Sequence, residues 1–491
     1  MFSTEFLEKL PQIIQDTLQQ ALQFLPELWL VLGLIVSLLL DLILRKNTWA
    51  KFGILQIVSA IFLLAAWQQI YLTPAEDKLT FIAQQAIIAT ALLTFIVLPF
   101  SKLVKSLGNN NFNTNFKTEF YTIFLALCIG LLGLTRANLN LLQMYLFLEV
   151  SSISAYILTA WHFDKKAMQA SLKYLLYGSV ASGITLYGMS WLYGLTQSLE
   201  LSVIIAKFQP LPLAYLALSF VLVGFLFKVS AFPLHIWAPD VYEAAPSPLV
   251  AFFSLAPKLA ALLVLFRLGQ LLDYRIMIVL SSISMLWGNL SALFENHLKR
   301  LLAYSAIAHA GLMLFVMYCP KTEKLSFAQQ SILFYWVVYA LGQIAIFLWI
   351  ELMPTLQQKA EKYYITSYQG LGRTLPVMSI LALLFMLHLT GLPPLGMFWG
   401  KLVVFSAIWK AYTQTQDIWW IVYLLVAVLN TAIALFYYLK LPYHLFFKPL
   451  DKEDIFKFSW LQNIGLILLW MFTLATFWLF FYPEKVLDWL S

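Results

Sequence analysis

Charged residues are scarce in this chain of 491 residues. They make up 11% of it, whereas 61% of the residues are hydrophobic. A soluble globular domain carries about 25% charged residues, and this chain has too few to cover a water-facing surface. Its net charge of +7 does not indicate nucleic-acid binding, because the basic residues stand between apolar runs, where they orient helices in a membrane.

Cysteine is almost absent, since only Cys128 and Cys319 occur. Two distant cysteines exclude a disulfide framework, a cysteine-rich zinc site and a cysteine-ligated iron–sulfur cluster. The sequence also lacks a glycine-rich phosphate loop and a dinucleotide-binding fingerprint. We therefore expect no cofactor and no metal in this chain. Any transport must draw its energy from another ion gradient or from a partner that carries out the chemistry.

Long apolar runs recur from one end of the chain to the other, and runs of about 18 to 20 residues are typical of membrane helices. Residues 1–491 therefore read as one all-α polytopic membrane domain that interacts with the lipid bilayer. The connections leave no room for a soluble domain. Fourteen spans are predicted, at residues 26–45, 52–73, 80–106, 119–135, 138–160, 167–195, 213–234, 247–271, 274–295, 300–319, 327–353, 374–411, 416–445 and 458–482.

Lysine and arginine are unevenly shared between the loops. Most lie in odd-numbered loops, as the pair Lys299 and Arg300 does, whereas even-numbered loops hold mostly single residues such as Arg275. The positive-inside rule then places the odd-numbered loops in the cytoplasm and both termini outside.

Two predicted spans are interrupted by proline. The seventh ends in Lys-Val-Ser-Ala-Phe-Pro (228–233), and the twelfth contains Gly-Leu-Pro-Pro (391–394). Proline breaks or kinks a helix, and broken backbone inside a membrane is tolerated only where protein or a water-filled cavity satisfies it. The breaks lie five helices apart, and a five-helix unit repeated in tandem must insert the second time upside down.

We therefore predict two inverted five-helix repeats with a site near the middle of the membrane. Spans 4–8 form the first repeat (residues 119–271), and spans 9–13 form the second (residues 274–445). The simpler alternative is that helices 7 and 12 are merely kinked, as many membrane helices are.

Several ionisable side chains stand inside the apolar spans. A charge at a helix centre costs about 2.5–3.5 kcal/mol, so a sequence without a use for it would lose it. Lys173 and Arg267 lie near span ends, where a long side chain can extend to the lipid headgroups. We expect this of Arg267, and for Lys173 it competes with a functional role. The candidate functional residues are Glu149, Lys228, Lys258 and Lys401, together with Lys173 and His309.

Proton relay is the chemistry that suits these residues. Removing a lysine from water disfavours its charged form, and a nearby carboxylate favours that form again. If Glu149 lies next to Lys228, moving one partner would make the lysine release or take up a proton. A purely structural ion pair is the alternative for these two, and a hydrogen bond to a neighbouring helix is the alternative for His309. The sites are scattered singly, which favours protons over a bulky substrate.

The sequence motifs also resemble a known family. Residues 227–252, which read FKVSAFPLHIWAPDVYEAAPSPLVAF, are similar to the signature of the antiporter-like subunits of respiratory complex I and of Mrp-type cation/proton antiporters. The resemblance covers nearly the full length of the chain, and a subunit of this family likewise has fourteen spans. Further matching motifs are Pro26-Glu-Leu, Lys173-Tyr-Leu-Leu-Tyr-Gly-Ser, Trp191-Leu-Tyr-Gly, Ala256-Pro-Lys, Lys299-Arg-Leu-Leu-Ala-Tyr-Ser and Gly391-Leu-Pro-Pro-Leu-Gly-Met-Phe-Trp-Gly-Lys.

The resemblance implies a role for each candidate residue. Glu149 matches the family's fifth-helix carboxylate, and Lys228 matches the seventh-helix lysine paired with it. Lys258 matches the central eighth-helix lysine, and Lys401 matches the twelfth-helix lysine of the terminal half-channel. Lys173 matches a lysine at the start of helix six. His309 stands where the family carries a polar residue on the central axis.

The resemblance further implies a proton-translocating membrane-arm subunit of NADH:quinone oxidoreductase in a bacterial plasma (inner) membrane, with both termini on the periplasmic side. Such a subunit has no redox centre of its own. NADH, FMN, iron–sulfur clusters and quinone are then expected in partner subunits, and neighbouring antiporter-like subunits are expected beside it. A subunit of a Mrp-type sodium/proton antiporter is the alternative, and an inert scaffold subunit is the least favoured.

Overall fold

The computed structural model describes residues 24–44, 48–72, 77–100, 119–136, 139–269, 271–316, 327–353, 363–449 and 460–490. Cys319 lies outside these segments. Within them β-structure is confined to two isolated bridges, Asn140 with Glu200 and His297 with Tyr364.

The described segments form twenty α-helices. They are α1 (Leu25–Ile43), α2 (Thr48–Leu72), α3 (Lys78–Val97), α4 (Glu119–Thr135), α5 (Leu141–Thr159), α6 (Lys165–Thr196), α7 (Leu201–Lys207), α8 (Pro212–Val229), α9 (Trp237–Ala244), α10 (Ser247–Gly269), α11 (Tyr274–Phe294), α12 (Leu298–Val316), α13 (Phe327–Leu352), α14 (Leu371–Thr374), α15 (Pro376–Thr390), α16 (Met397–Thr415), α17 (Ile418–Tyr438), α18 (Lys440–Phe447), α19 (Trp460–Phe481) and α20 (Pro483–Leu490).

The predicted all-helical membrane architecture is confirmed. Ten helical segments of the described chain are long and apolar enough to cross a membrane, and α4 and α15 are shorter apolar helices. Each of the fourteen predicted spans coincides with at least one helix. The twelfth, predicted as one interrupted span over 374–411, consists of the separate helices α15 and α16.

Several helices begin at a residue whose side chain caps their first turn. Asp164 accepts a hydrogen bond from the backbone N–H of Ala167 at 2.7 Å, and Asn140 accepts one from Gln143 at 2.8 Å. Such caps satisfy backbone donors that have no partner inside the helix. They explain why helices start at these short polar interruptions of an apolar sequence.

The chain leaves helical geometry at both proline-containing segments. Helix α8 ends at Val229 and is followed by Ser230 in the left-handed conformation, seven residues before α9 begins. Helix α15 ends at Thr390, and Gly391 follows with φ of 87°. At each break the carbonyl end of a helix therefore lies inside the protein.

Helices α10 and α13 form the core of the molecule. In their most apolar stretches 94% and 89% of the residues are buried, against 28% for α1, and the two helices pack against each other. Side chains on α10 and α13 are therefore shielded from lipid. Groups attached to them meet protein rather than the bilayer.

Arg267 illustrates this consequence, and the prediction that it extends to the lipid headgroups is wrong. Its side chain, near the end of α10, is 8% exposed. It donates hydrogen bonds to Thr80 Oγ1 and the carbonyl oxygen of Thr135, each at 2.8 Å. Because other helices surround α10, its end does not reach lipid, and the arginine binds protein oxygens instead.

Candidate functional site

Glu149 and Lys228 lie at one end of a series of polar side chains. Glu149 on α5 is half-buried and accepts a hydrogen bond from Ser182 on α6. The Lys228 ammonium donates to Ser152 Oγ at 3.1 Å. Ser152 follows Glu149 by three residues, so both lie on one face of α5. Both residues of the predicted ion pair are described; no salt bridge joins them, and each has a serine as its hydrogen-bond partner.

Two of the candidate lysines lie at the carbonyl ends of broken helices. Lys228 is 1% exposed in the last turn of α8. The Lys401 ammonium on α16 donates to the carbonyl oxygen of Thr390, the last residue of α15, at 2.6 Å. The carbonyl end of a helix carries a partial negative charge that stabilises a cation. The two breaks thus supply electrostatic support for both buried lysines.

Lys258 joins the core to α12. It follows Pro257 inside α10, is 1% exposed, and its ammonium donates to the carbonyl oxygen of Ala306 at 2.9 Å. His309 is three residues farther along α12 and therefore lies on the same face as Ala306. The ammonium of Lys258 therefore contacts α12 one turn before His309.

His309 bridges two tyrosines. Its Nδ1 atom lies 2.5 Å from the hydroxyl of Tyr335 on α13, and its Nε2 atom lies 3.1 Å from the hydroxyl of Tyr438 on α17. The ring also packs on Tyr339, with 4.5 Å between ring centres. A tyrosine hydroxyl both donates and accepts, as does a neutral imidazole. The group is thus a continuous hydrogen-bonded link between α12, α13 and α17.

A cavity of about 30 Å³ connects His309 with Lys401. A buried site needs about 10–15 Å³ to hold one water molecule, so this cavity has room for about two. Asn289, Asn430 and Tyr437 contribute further polar groups to its wall. The cavity therefore has room for water beside both the imidazole and the last candidate lysine.

Lys173 stands apart from these residues. Its side chain is 54% exposed and pairs with Asp240 on α9 at 2.6 Å. Arg300 shares that carboxylate at 2.8 Å and also pairs with Glu243 at 3.1 Å. Nearby Lys173 and Arg300 lower the pKa of Asp240 below its usual range, against the effect of burial. Lys173 thus belongs to a surface ion-pair cluster that holds α9.

Part of the polar network is not predicted from the sequence. Asn289 and Asn430 are buried amides inside apolar helices, and that unusual placement is visible in the sequence. The tyrosines carry no such signal, because tyrosine is also common where helices meet the membrane surface. The missed residues are Ser152, Ser182, Asn289, Ser305, Tyr335, Tyr339, His388, Asn430, Tyr437 and Tyr438.

Metal binding has no support in the described segments. They contain no group of three or more His, Cys, Asp or Glu side chains arranged to hold a metal ion. The chemistry available to the buried residues is hydrogen bonding and proton exchange among lysines, an imidazole, hydroxyls and water.

Broken helices and buried lysines at their ends are features of membrane transport proteins, and the comparisons place this chain in the class of antiporter-like membrane subunits. A family model described as "NADH:quinone oxidoreductase/Mrp antiporter, TM" matches residues 138–433. NADH-quinone oxidoreductase subunit N of Anaeromyxobacter sp. (strain Fw109-5) is 31% identical over 469 residues, covering 88% of this chain and 89% of the relative.

Solved structures agree with this match. A chain of respiratory complex I from Thermus thermophilus, solved with bound aureothin, is 27% identical with a TM-score of 0.75, covering 95% of this chain and 99% of that one. A chain of the Mrp complex from Dietzia sp. DQ12-45-1b has the same TM-score at 18% identity, covering 96% of each chain. This second likeness shows a shared fold alone.

The chain belongs to the NADH-quinone oxidoreductase subunit N family and is a multi-pass membrane subunit of respiratory complex I. The prediction of a proton-translocating membrane-arm subunit of this enzyme, rather than of a Mrp-type antiporter, is confirmed by the relatives.

Proposed function

We propose that protons move through this subunit along Glu149, Lys228, Lys258, His309 and Lys401, driven by quinone reduction in other subunits. Helix α8, which carries Lys228, packs against α10, which carries Lys258. Ser152, the partner of Lys228, lies one turn from Glu149 on α5, and Lys258 reaches α12 at Ala306, one turn from His309. Lys173 has no place in the relay, and its proposed role is to anchor α9 at the surface.

The observation that carries the proposal is the arrangement around α12. Lys258 binds the carbonyl oxygen of Ala306, His309 lies one turn farther on, and a cavity with room for water separates His309 from Lys401. A purely structural role for these groups would not require a cavity with room for water beside an imidazole and a lysine.

The proposal includes the fourteen-span topology with two inverted repeats, residues 119–271 and 274–445. It is supported by the two breaks at equivalent places, after α8 and after α15, each beginning with a left-handed residue. In this arrangement both termini lie on the periplasmic side of a bacterial inner membrane. Neighbouring antiporter-like subunits flank the chain, and NADH, FMN, iron–sulfur clusters and quinone are bound by other subunits.

The relay is tested by replacing Lys401 with glutamine and measuring NADH-driven proton pumping in inverted membrane vesicles. A positioned proton-transfer group contributes about 10²–10⁴-fold to a rate, so we expect pumping per assembled complex to fall about tenfold or more. Lys410→Gln is the matched control, because Lys410 is an exposed lysine on the same helix. A normal proton-to-electron ratio in a fully assembled Lys401→Gln complex contradicts the proposal.

A further inference from the structure

Helix α9 follows the first break and is held to α12 by charged side chains. Seven residues separate it from the end of α8, so the chain connection alone does not fix its position. Arg300, in the first turn of α12, binds Asp240 and Glu243 through Nη1, at 2.8 and 3.1 Å. Lys299 beside it donates to the carbonyl oxygen of Ala245, the residue after α9, at 2.9 Å. Two consecutive residues of α12 therefore hold α9 in place.

The first residue of α9 contacts the helix that carries Lys228. Trp237 donates through Nε1 to the carbonyl oxygen of Phe227 at 2.9 Å. Phe227 precedes Lys228 in the last turn of α8, so this oxygen belongs to the carbonyl end that stabilises the lysine charge. Trp237 is 2% exposed, and Tyr174 stacks on it with 4.2 Å between ring centres. The indole is therefore fixed by packing, and its hydrogen bond depends on the position of α9.

The ion pairs and the indole contact lie on the same part of α9. Trp237 and Asp240 are three residues apart, so both side chains project from one face of the helix. Lys173, which pairs with Asp240, adjoins Tyr174, which stacks on Trp237. Because so short a helix moves as a unit, a shift at Asp240 also displaces Trp237.

Helix α12 also binds the second lysine of the relay. Ala306, whose carbonyl oxygen accepts a hydrogen bond from Lys258 at 2.9 Å, lies six residues after Arg300. Helix α12 thus contacts Lys258 directly and reaches the surroundings of Lys228 through α9.

Surface ion pairs commonly contribute only about 0–1 kcal/mol to stability, and stabilisation is the simpler role for Arg300. Stabilisation alone does not explain why the helix that Arg300 holds also binds a carbonyl oxygen next to a buried lysine. Nor does it explain why one face of α9 makes both contacts. A positioning role accounts for both observations.

We propose that Arg300 is a positioning residue for Lys228. By holding α9 against α12, it keeps Trp237 on the carbonyl oxygen of Phe227 and so fixes the helix end at the lysine. This inference rests on the proposed relay. When the Arg300 contacts are lost, α9 shifts, the indole N–H leaves the Phe227 oxygen, and the carbonyl end at Lys228 changes orientation. Lys228 and Lys258 are then no longer arranged by the same helix.

The first test compares Arg300→Gln, which removes the charge, with Arg300→Lys, which keeps it. A misplacement of about 1 Å costs a reacting group up to about 10²-fold in rate. We expect NADH-driven pumping per assembled complex in inverted vesicles to fall severalfold in Arg300→Gln and to recover in part in Arg300→Lys. Arg275→Gln is the control and should pump normally, because Arg275 pairs with Asp417 at 2.9 Å without involving α9. Equal losses in Arg300→Gln and Arg275→Gln, or no recovery in Arg300→Lys, overturn the proposal.

The second test is Trp237→Phe, which keeps a ring on Tyr174 and removes the N–H. A merely structural contribution would change the amount of assembled complex, whereas a positioning role changes the proton-to-electron ratio of the complex that assembles. We expect that ratio to fall. Because both residues act through one hydrogen bond, Arg300→Gln with Trp237→Phe should pump no worse than the more impaired single variant. A normal ratio in assembled Trp237→Phe, or multiplied losses in the double variant, overturns the proposal. If Arg300→Gln does not assemble, Trp237→Phe alone decides.

The Lys401→Gln variant separates the relay from the positioning role. If Lys401→Gln pumps normally, the relay itself fails. If Lys401→Gln loses pumping while assembled Trp237→Phe pumps normally, the positioning role alone is rejected.

Discussion

At the scale of single residues, the placement of Lys401 depends on the glycine that ends α15. Gly391 has φ of 87°, a conformation that glycine adopts without a steric penalty. A Cβ atom there would lie 2.8 Å from Lys401 Cδ and 3.2 Å from Cε. The absent side chain therefore leaves the space through which the lysine reaches the carbonyl oxygen of Thr390.

We expect Gly391→Ala to displace the Lys401 ammonium and to lower NADH-driven pumping. The left-handed conformation costs a residue other than glycine about 1–2 kcal/mol, and the contact with Lys401 pushes a flexible side chain aside. Gly183→Ala on α6 is the control, because its added Cβ atom meets nothing within 4 Å. Pumping and thermal stability of the assembled complex are measured for both. Equal pumping by the two variants would show that the lysine does not need this space.

At the scale of helices and their junctions, the sequence predicted the breaks well because proline acts locally. The segments after α8 and α15 depart from helical geometry for reasons contained in a few residues. Arg267 was misjudged because its surroundings are set by distant helices that enclose α10. The partners of His309 were missed for the same reason, since Tyr335 and Tyr438 are brought to it by the packing of three helices.

The junction between α11 and α12 contains a buried histidine that gives a pH-dependent prediction. His297 is 5% exposed and packs on Tyr364, with 5.3 Å between ring centres. Burial, partly opposed by the charge of Glu243, lowers the pKa of His297 from 6.5 to about 4. Between these values the unfolded chain binds a proton that the folded chain does not. Lowering the pH through this range therefore destabilises the fold.

We expect His297→Phe, which keeps an aromatic ring against Tyr364, to remove this dependence. The loss in the unaltered protein is on the order of 1 kcal/mol for each pH unit between 6.5 and about 4. The thermal stability of both assembled complexes is measured from neutral pH to pH 5. The charges of Lys166, Glu243, Glu295 and Lys299 are common to both proteins, so the difference between the two curves isolates the histidine. If the two stability curves are parallel, His297 binds protons equally well in the folded and the unfolded chain, which contradicts the prediction.

At the scale of the whole molecule, a buried ion pair ties the N-terminal helices to the core. Arg136 donates to Glu27 on α1 through Nε at 2.7 Å, and both side chains are 6% exposed. Arg267 on α10 donates to the backbone carbonyl oxygen of Arg136. These contacts join α1, the end of α4 and α10, which are far apart in the sequence. The cluster thus fixes the N-terminal helices against the central helix that carries Lys258.

Glu27→Gln is therefore expected to be strongly destabilising, because it leaves the Arg136 charge buried without its carboxylate. Breaking a buried pair in this way costs about 3–5 kcal/mol, whereas an exposed pair contributes about 0–1 kcal/mol. Lys166→Met is the control, since its side chain is 69% exposed in its pair with Glu243. The amount of assembled complex and its thermal stability are the measurements. Adding Arg136→Met to Glu27→Gln should restore part of the loss, because the backbone oxygen that binds Arg267 is retained. If Glu27→Gln is no worse than Lys166→Met, or if the double variant is the least stable, the pair is not what holds the N-terminal helices to the core.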